Sequence, residues 1–363
     1  MRITANCQNL KKTVSIVERI VLKNPSLPIL SNLLLKTENG RLRISATNLE
    51  IGINCFLGAK IDEVGEITIP AKIFYDFVSN LGEDKITLTT KNNSLLINTD
   101  KYKTQILGFE SKDFPIIPKI KNNVSSVIPL KIIKSGLSSV LDSVAISETR
   151  PELAGVFVQF TDKNIIFAAT DSFRLTERVV NIKNKENLSF ILPRTTVLEL
   201  IRLASDINED VSIKYSDNQI AFLSDDLEIV SRLVDGNYPD YKKVIPDKYV
   251  SKVMVKKDTL EKNIRLAGIF SSSIADVKLS CNEKDITITA NNSSKGEIQV
   301  SVEAVLKNEP FDISLNHHYL LDGLKIIPTE HVIIEYTGQG SPLVLRPEHD
   351  TKDLTYLIMP LRK

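Results

Sequence analysis

The chain has 363 residues, too many for one ordinary core and enough for two or three domains at roughly 100 to 200 residues each. Hydrophobic residues at 42% and charged residues at 25% fit a soluble globular protein and exclude a disordered, collagen-like or disulfide-dense one. Forty-six basic against forty-five acidic side chains leave a net charge of +1, which excludes a polycation that coats nucleic acid indiscriminately.

The first repeat opens with a strand, RITA, and an amphipathic helix over NLKKTVSIVERIV, where Val14, Val17 and Val21 fall near helical spacing. A strand-like run ends in a small polar turn at GRLRISATN, residues 40–48, and a second helix, PAKIFYDFVSNL, starts at Pro70. Alternating strands follow in DKITLTTKNNSLLINTD, and Phe114-Pro115 closes the unit. The same succession begins again with SSVI and the helix PLKIIKSGLSSVLDSVAIS, then KNIIFAATD, a helix from Pro193, DVSIKYSDNQIAFLSD and Tyr238-Pro239. It begins a third time with SKVMV and KKDTLEKNIRLAGIF, then EKDITITANN, a helix from Asn316 and HVIIEYTGQGSPLVLRP. The alanines at the three turns, Ala46, Ala169 and Ala290, lie 123 and 121 residues apart, too long a period for a solenoid. The expectation is three like α+β domains at 1–122, 123–247 and 248–363, each with two helices packed on antiparallel sheets.

Chemistry-bearing patterns are sparse. Cys7, Cys55 and Cys281 are far apart and odd in number, which argues for a reducing, cytoplasmic setting and against a disulfide framework. The N-terminus lacks a signal-peptide apolar region, and no run approaches the ~18 apolar residues of a membrane span. Adjacent His317 and His318 on a helix diverge by about 100°, a poor chelating pair. No glycine loop precedes a helix as a phosphate cradle, and GQGSP from Gly338 reads as a hairpin turn. Nothing resembles a nucleophile with its base, so neither a cofactor nor a catalytic site is expected, and a binding protein is favoured over an enzyme.

The helices carry charge instead. First helices hold Lys11, Lys12, Arg19 and Lys23, then Lys131 and Lys134, then Lys256, Lys257, Lys262 and Arg265; second helices add Lys72, Arg194, Arg202 and Lys325. A solvated helix face is the bland explanation for any one of them, but the charge recurs at six equivalent places. Residues 1–122 are net +5 and the remainder net −4, so charge is segregated along a nearly neutral chain. Such helices would meet phosphates without reading bases.

Six further segments occur in order along the whole chain: LPILSNLLL, ATNLEIGI, TRPELAGVFVQF, AATDSFRLTERV, LVDGNYPDYKKVIP and the terminal YLIMPLRK. With the threefold repeat, they make the chain resemble the bacterial DNA polymerase III beta subunit, the sliding clamp. That resemblance implies a head-to-tail homodimeric ring of six like domains around duplex DNA, bound independently of sequence. It implies as partners the clamp loader, the polymerase III alpha subunit and other proteins with a clamp-binding motif. Matching positions imply DNA contact at Lys23, Asn24, Lys72, Arg150 and Arg194. Asn24 stands where arginine is common, and Pro151 and Glu152 where some members have aromatic residues.

The resemblance also implies a partner-peptide pocket of Leu153, Thr170, Ser172, Phe173, Arg174, Leu175, Pro239, Lys243, Val244, Pro342, Leu357, Met359, Pro360, Leu361 and Arg362. Phe173 replaces a frequent histidine there. Dimer contacts fall on Thr104 and Ile106 of YKTQILGF, and on Ile269 and Phe270. Two alternatives stay open at this point: a duplicated clamp conferring resistance to a clamp-binding inhibitor, and an enzyme of unrecognised type with an interdomain site.

Overall fold

The computed structural model describes residues 1–22, 26–121, 126–146, 149–184, 186–206, 209–349 and 353–361. The first repeat forms β1 (Arg2–Asn6), α1 (Cys7–Glu18), β2 (Asn32–Glu38), β3 (Arg41–Thr47), β4 (Ile51–Glu63), β5 (Glu66–Pro70), α2 (Ala71–Ser79), β6 (Lys85–Lys91), β7 (Ser94–Asn98) and β8 (Lys103–Leu107). The second forms β9 (Ser126–Pro129), α3 (Leu130–Val140), β10 (Gly155–Phe160), β11 (Asn164–Thr170), β12 (Arg174–Asn181), β13 (Leu188–Pro193), α4 (Arg194–Asp206), β14 (Asp210–Ser216), β15 (Gln219–Leu223) and β16 (Leu227–Arg232). The third forms β17 (Ser251–Lys256), α5 (Lys257–Ile269), β18 (Asp276–Cys281), β19 (Asp285–Asn292), β20 (Gly296–Lys307), β21 (Phe311–Asn316), α6 (His317–Ile326), β22 (His331–Tyr336), β23 (Leu343–Pro347) and β24 (Leu354–Ile358). All three follow one order, a strand, a helix, four strands, a helix and three strands.

Local chemistry explains the helix starts and faces. The Asn6 side chain caps α1 by accepting from the Asn9 N–H at 3.0 Å, and Asn316 caps α6 by accepting from the His318 N–H at 2.9 Å. Helix α1 buries Cys7, Leu10, Val14 and Val17, and α5 buries Leu260, Ile264 and Ala267. Ile269 departs from the apolar stripe and is 59% exposed. Helix α3 stops at Val140, well short of the long helix expected from PLKIIKSGLSSVLDSVAIS, and a short 3-10 turn follows at Leu141–Ser143.

Contacts group the described residues into two units that do not follow the repeats. One unit comprises Met1–Ile133 with Leu198–Leu233, the other Lys134–Val197 with Val234–Lys363. In the first unit the strands run β8-β7-β6-β1-β4-β16-β15-β14-β9, with β5-β2-β3 joining at β4. In the second they run β13-β10-β11-β12-β24-β23-β22-β17-β20-β19-β18-β21.

One rule generates both junctions between successive repeats: the strand after the marker turn of one repeat pairs antiparallel with the last strand of the next. Thus β4 takes β16, from Ile51 opposite Ser231 to Cys55 opposite Leu227. Likewise β12 takes β24, from Arg174 opposite Ile358 to Arg178 opposite Leu354. The marker turns are built alike. Thr47 Oγ1 donates to the Ile51 carbonyl at 3.0 Å, and Asn48 Oδ1 accepts from the Ile51 N–H at 2.9 Å, with Leu49 at φ 75° between them. In the second repeat Thr170 Oγ1 donates to the Arg174 carbonyl at 2.7 Å, Asp171 Oδ1 accepts from the Arg174 N–H at 3.0 Å, and Ser172 sits at φ 77°.

Close packing tells where a single methyl group matters. A Cβ on Gly323 of α6 would lie 2.5 Å from the Tyr356 ring, which is itself 1% exposed and donates its hydroxyl to the Tyr319 carbonyl at 2.8 Å. Gly323→Ala is therefore expected to destabilise the second unit by about 1 to 3 kcal/mol, the usual cost of overpacking, read as a lower denaturant midpoint at unchanged slope. His317 is buried at 8% exposure, 2.9 Å from the Ala275 carbonyl through Nδ1, and its burial holds the imidazole pKa below the usual value. Its Cδ2 and Nε2 pack where a Cβ on Gly268 would stand, so its role is helix packing.

Candidate functional site

A pocket of about 260 Å³ opens in the second unit beside the β12–β24 pairing. Nine of the residues expected there line it: Leu153, Thr170, Ser172, Arg174, Leu175, Pro239, Val244, Leu357 and Met359. The marker turn forms one lip, with Ser172 exposed, and the end of β24 forms another. The floor is a small apolar cluster of Ala168, Leu175, Val344 and Leu357 with Tyr241, against which Phe157, Tyr238 and Met359 pack. Phe157 stacks on Tyr238 at 5.1 Å, and Tyr241 meets both rings edge-on at 6.1 Å.

Tyr241 was not among the expected residues, nor was Asp240, and both line the pocket. Tyr241 donates its hydroxyl to Glu177 Oε2 at 2.6 Å, and burial together with that carboxylate pushes the phenol pKa up. The signal in the sequence was its place two residues after Tyr238-Pro239, which the repeat aligns with Ile117 after Phe114-Pro115. Arg150, expected to face DNA, lines this pocket, with Nε 3.0 Å from Glu152 Oε1.

The remaining pocket candidates stand outside its lining. Phe173 is 60% exposed, and its carbonyl accepts from the Met359 N–H at 2.8 Å. Lys243 is exposed and 3.0 Å from Asp240, Pro342 gives its carbonyl to Thr337 Oγ1 at 2.6 Å, and the Leu361 N–H donates to the Ser314 carbonyl at 2.9 Å. Pro360 is half-buried, and Arg362 lies outside the described residues. Arg174 is held on two sides, by Asp171 Oδ2 at 2.9 Å and by Asp322 of α6, with its guanidinium 4.6 Å over the Tyr319 ring. Its charge is spent inside the protein, so its contribution to the pocket is shape.

Among the DNA-facing candidates, Lys23 and Asn24 lie outside the described residues. Lys72 projects from α2, 71% exposed and 2.6 Å from Asp76, an ion pair that raises the ammonium pKa and keeps it charged. Arg194 begins α4 half-buried, and its Nε has no hydrogen-bond partner among the described residues. Other helix cations also have local partners, Arg202 with Glu199, Arg265 with Glu261 and Lys325 with Asp142.

The edge candidates divide by burial. Strand β8 ends its sheet, pairing only with β7 among the described strands. Thr104 is half-buried and Ile106 is 5% exposed, so Ile106 faces its own core. Leu107, beyond it, is 72% exposed. In β20, residues 296–303 pair with β19 alone and 304–307 pair with β17, so the first part of the strand is open on one side. Phe270 packs on the core of the third repeat, and the ring approaches Gly296 at the start of β20, while Ile269 points outward.

Family models for the DNA polymerase III beta subunit match in series, the N-terminal domain over residues 1–118, the central domain over 127–240 and the C-terminal domain over 242–362. The chain belongs to the DNA polymerase III beta subunit family. A beta sliding clamp of Staphylococcus epidermidis is 27% identical over 350 residues, 93% of each chain. The crystal structure of the DNA polymerase III subunit beta from Pseudomonas aeruginosa superposes with a TM-score of 0.96 at 26% identity, covering 100% of both chains. Another from Pseudomonas aeruginosa, bound to griselimycin, gives 0.95 at 26% identity with the same coverage. Membership of the beta subunit family makes the chain a sliding clamp, a non-catalytic processivity subunit, and removes the enzyme alternative.

Proposed function

We propose that two copies of this chain close head to tail into a ring that encircles duplex DNA and tethers polymerase and repair proteins through the pocket at the β12–β24 junction. The observation that carries closure is the junction rule. Repeat one gives β4 to β16 of repeat two, and repeat two gives β12 to β24 of repeat three. Repeat three has β20 in the giving position with an open edge, and repeat one has β8 in the receiving position with an open edge. Pairing β20 of one copy with β8 of another extends the rule twice and leaves neither edge bare, a heterologous contact that closes. Lys103 on β8 and Glu297 and Glu303 on β20 are exposed with opposite charge, which favours that pairing.

In this reading the domains keep the bounds 1–122, 123–247 and 248–363, which the matched family ranges support. The clamp loader opens the ring, and the setting is the cytoplasm, in keeping with three free, buried cysteines and with the absence of any membrane-length apolar helix among the described residues. Lys72 and Arg194, with Lys23 and Asn24, supply weak phosphate contacts that slide, since a topological hold needs no base-reading element.

Loading on circular DNA tests the whole reading. Placed on a circle by a clamp loader with ATP, the protein is expected to persist in moderate salt and to leave when the circle is cut. Direct binding to short linear duplexes is expected to be weak and steeply salt-dependent. Tight, sequence-selective binding to linear DNA would overturn it.

A further inference from the structure

The first repeat carries a second groove, in the place where the second repeat is sealed. Leu34 pairs with Ser45 in β2 and β3 as Phe157 pairs with Ala168 in β10 and β11, and Phe114 and Ile117 precede and follow Pro115 as Tyr238 and Tyr241 do Pro239. In the second repeat three aromatic rings, Phe157, Tyr238 and Tyr241, fill the sheet face. In the first, the aliphatic Leu34 and Ile117 stand in the places of Phe157 and Tyr241, Ile117 against Gly52, and a cavity of about 570 Å³ lies between the sheet and residues 111–121.

The lining of that cavity is uneven in charge. Lys36, Arg43, Lys112, Lys119 and Lys121 surround it, against one lining carboxylate, Glu66, which Lys36 and Ser111 hold at 2.6 and 2.5 Å. Glu38 behind it balances Arg43, and Glu110 balances Lys112. Lys119 reaches Glu38 only at 3.4 Å and stays 69% exposed, and Lys121 has no ion-pair partner among the described residues. One wall is apolar, and Ile116 stands out from it at 92% exposure. An isoleucine this exposed beside Lys119, only loosely paired, and Lys121 suits an acidic chain that brings an apolar anchor with it.

We propose that this groove docks an acidic peptide segment of a partner protein, with one large apolar anchor against Ile116 and carboxylates on Lys119 and Lys121. It shares no lining residue with the β12–β24 pocket.

The probe is a fluorescein-labelled dodecapeptide of aspartate and serine around a single tryptophan, an anchor unlike the leucine and phenylalanine suited to the β12–β24 pocket, titrated by anisotropy against the full-length protein. Saturable binding in the micromolar to sub-millimolar range is expected, weakened about tenfold or more by Lys119→Glu with Lys121→Glu, and separately by Ile116→Ser. Both variants alter exposed side chains, and unchanged melting will show that the fold is intact. Deleting residues 359–363, which strips the other pocket, is expected to change this affinity by less than about twofold. No saturation by about 1 mM, indifference to the lysine pair, or loss on the deletion would each overturn the proposal. Competition by a single-stranded oligonucleotide as strong as by the unlabelled peptide would also overturn it, marking a general anion patch.

Discussion

Ile269→Glu is expected to turn a dimer into a monomer at micromolar concentration. Ile269 is 59% exposed at the end of α5, so the monomer's core does not depend on it. Its neighbour Phe270 packs beside Gly296, where the open edge of β20 begins. If β8 of a second copy lies along that edge, a glutamate at 269 is desolvated without a partner. Losing an anchor there costs at least about 2 kcal/mol, roughly thirtyfold in dissociation constant. Sedimentation at several concentrations, with thermal melting of the same samples, separates dissociation from unfolding. A variant that stays dimeric would move the interface elsewhere. Ile106→Lys is a poorer test, because Ile106 is 5% exposed within its own unit and a lysine there would damage the fold as well.

Deleting residues 359–363 is expected to remove most affinity for a polymerase-tail peptide while the dimer survives. Among the described residues 359–361, Met359 lines the pocket, seated by its N–H on the Phe173 carbonyl at 2.8 Å. A flexible thioether over an apolar floor adapts to a leucine or phenylalanine anchor. A short peptide buries little surface, so the intact pocket should bind at about −8 kcal/mol or weaker, and the truncated one at least about tenfold less. The core residues Leu357 and Ile358 remain, and no deleted residue belongs to β8, α5 or β20. Equal binding by both forms in a fluorescence titration would place the partner site elsewhere.

The repeat was legible because its signals are local. Ala46 and Ala169 mark turns whose Thr and Asx side chains hydrogen-bond the backbone two to four residues on, Ala290 one where Asn292 does so alone, and such chemistry survives in sequence. What stayed hidden was long-range. Strand β4 reads IGINCFLGAKIDE and is buried at nearly every position of its first half, so it lacks the alternation that betrays a half-buried strand. Its partner β16 lies more than 170 residues away, and nothing in either segment names the other. In the pocket, resemblance found the lips and two floor residues, Leu175 and Leu357, but not Tyr241, whose value depends on Phe157, Tyr238 and Glu177, brought together only by the fold. Arg174 is held by Asp322, 148 residues on, a pairing that neither segment announces.

The division of the middle repeat has a consequence for synthesis on the ribosome. The body that contains the N-terminus is completed only when residues 198–233 arrive, since β4 leans on β16. At about 10 residues per second, the first 122 residues wait on the order of 10 s after their own emergence with a long apolar strand unpaired on one side. In the intervening residues 134–197, strands β10 to β13 pair with one another, but the outer edge of β12 still lacks β24. Nascent chains stalled between residues 122 and 233 should therefore be the species most dependent on chaperones, and pulse proteolysis of such stalled chains would show protection of β4 appearing in one step once β16 has cleared the exit tunnel.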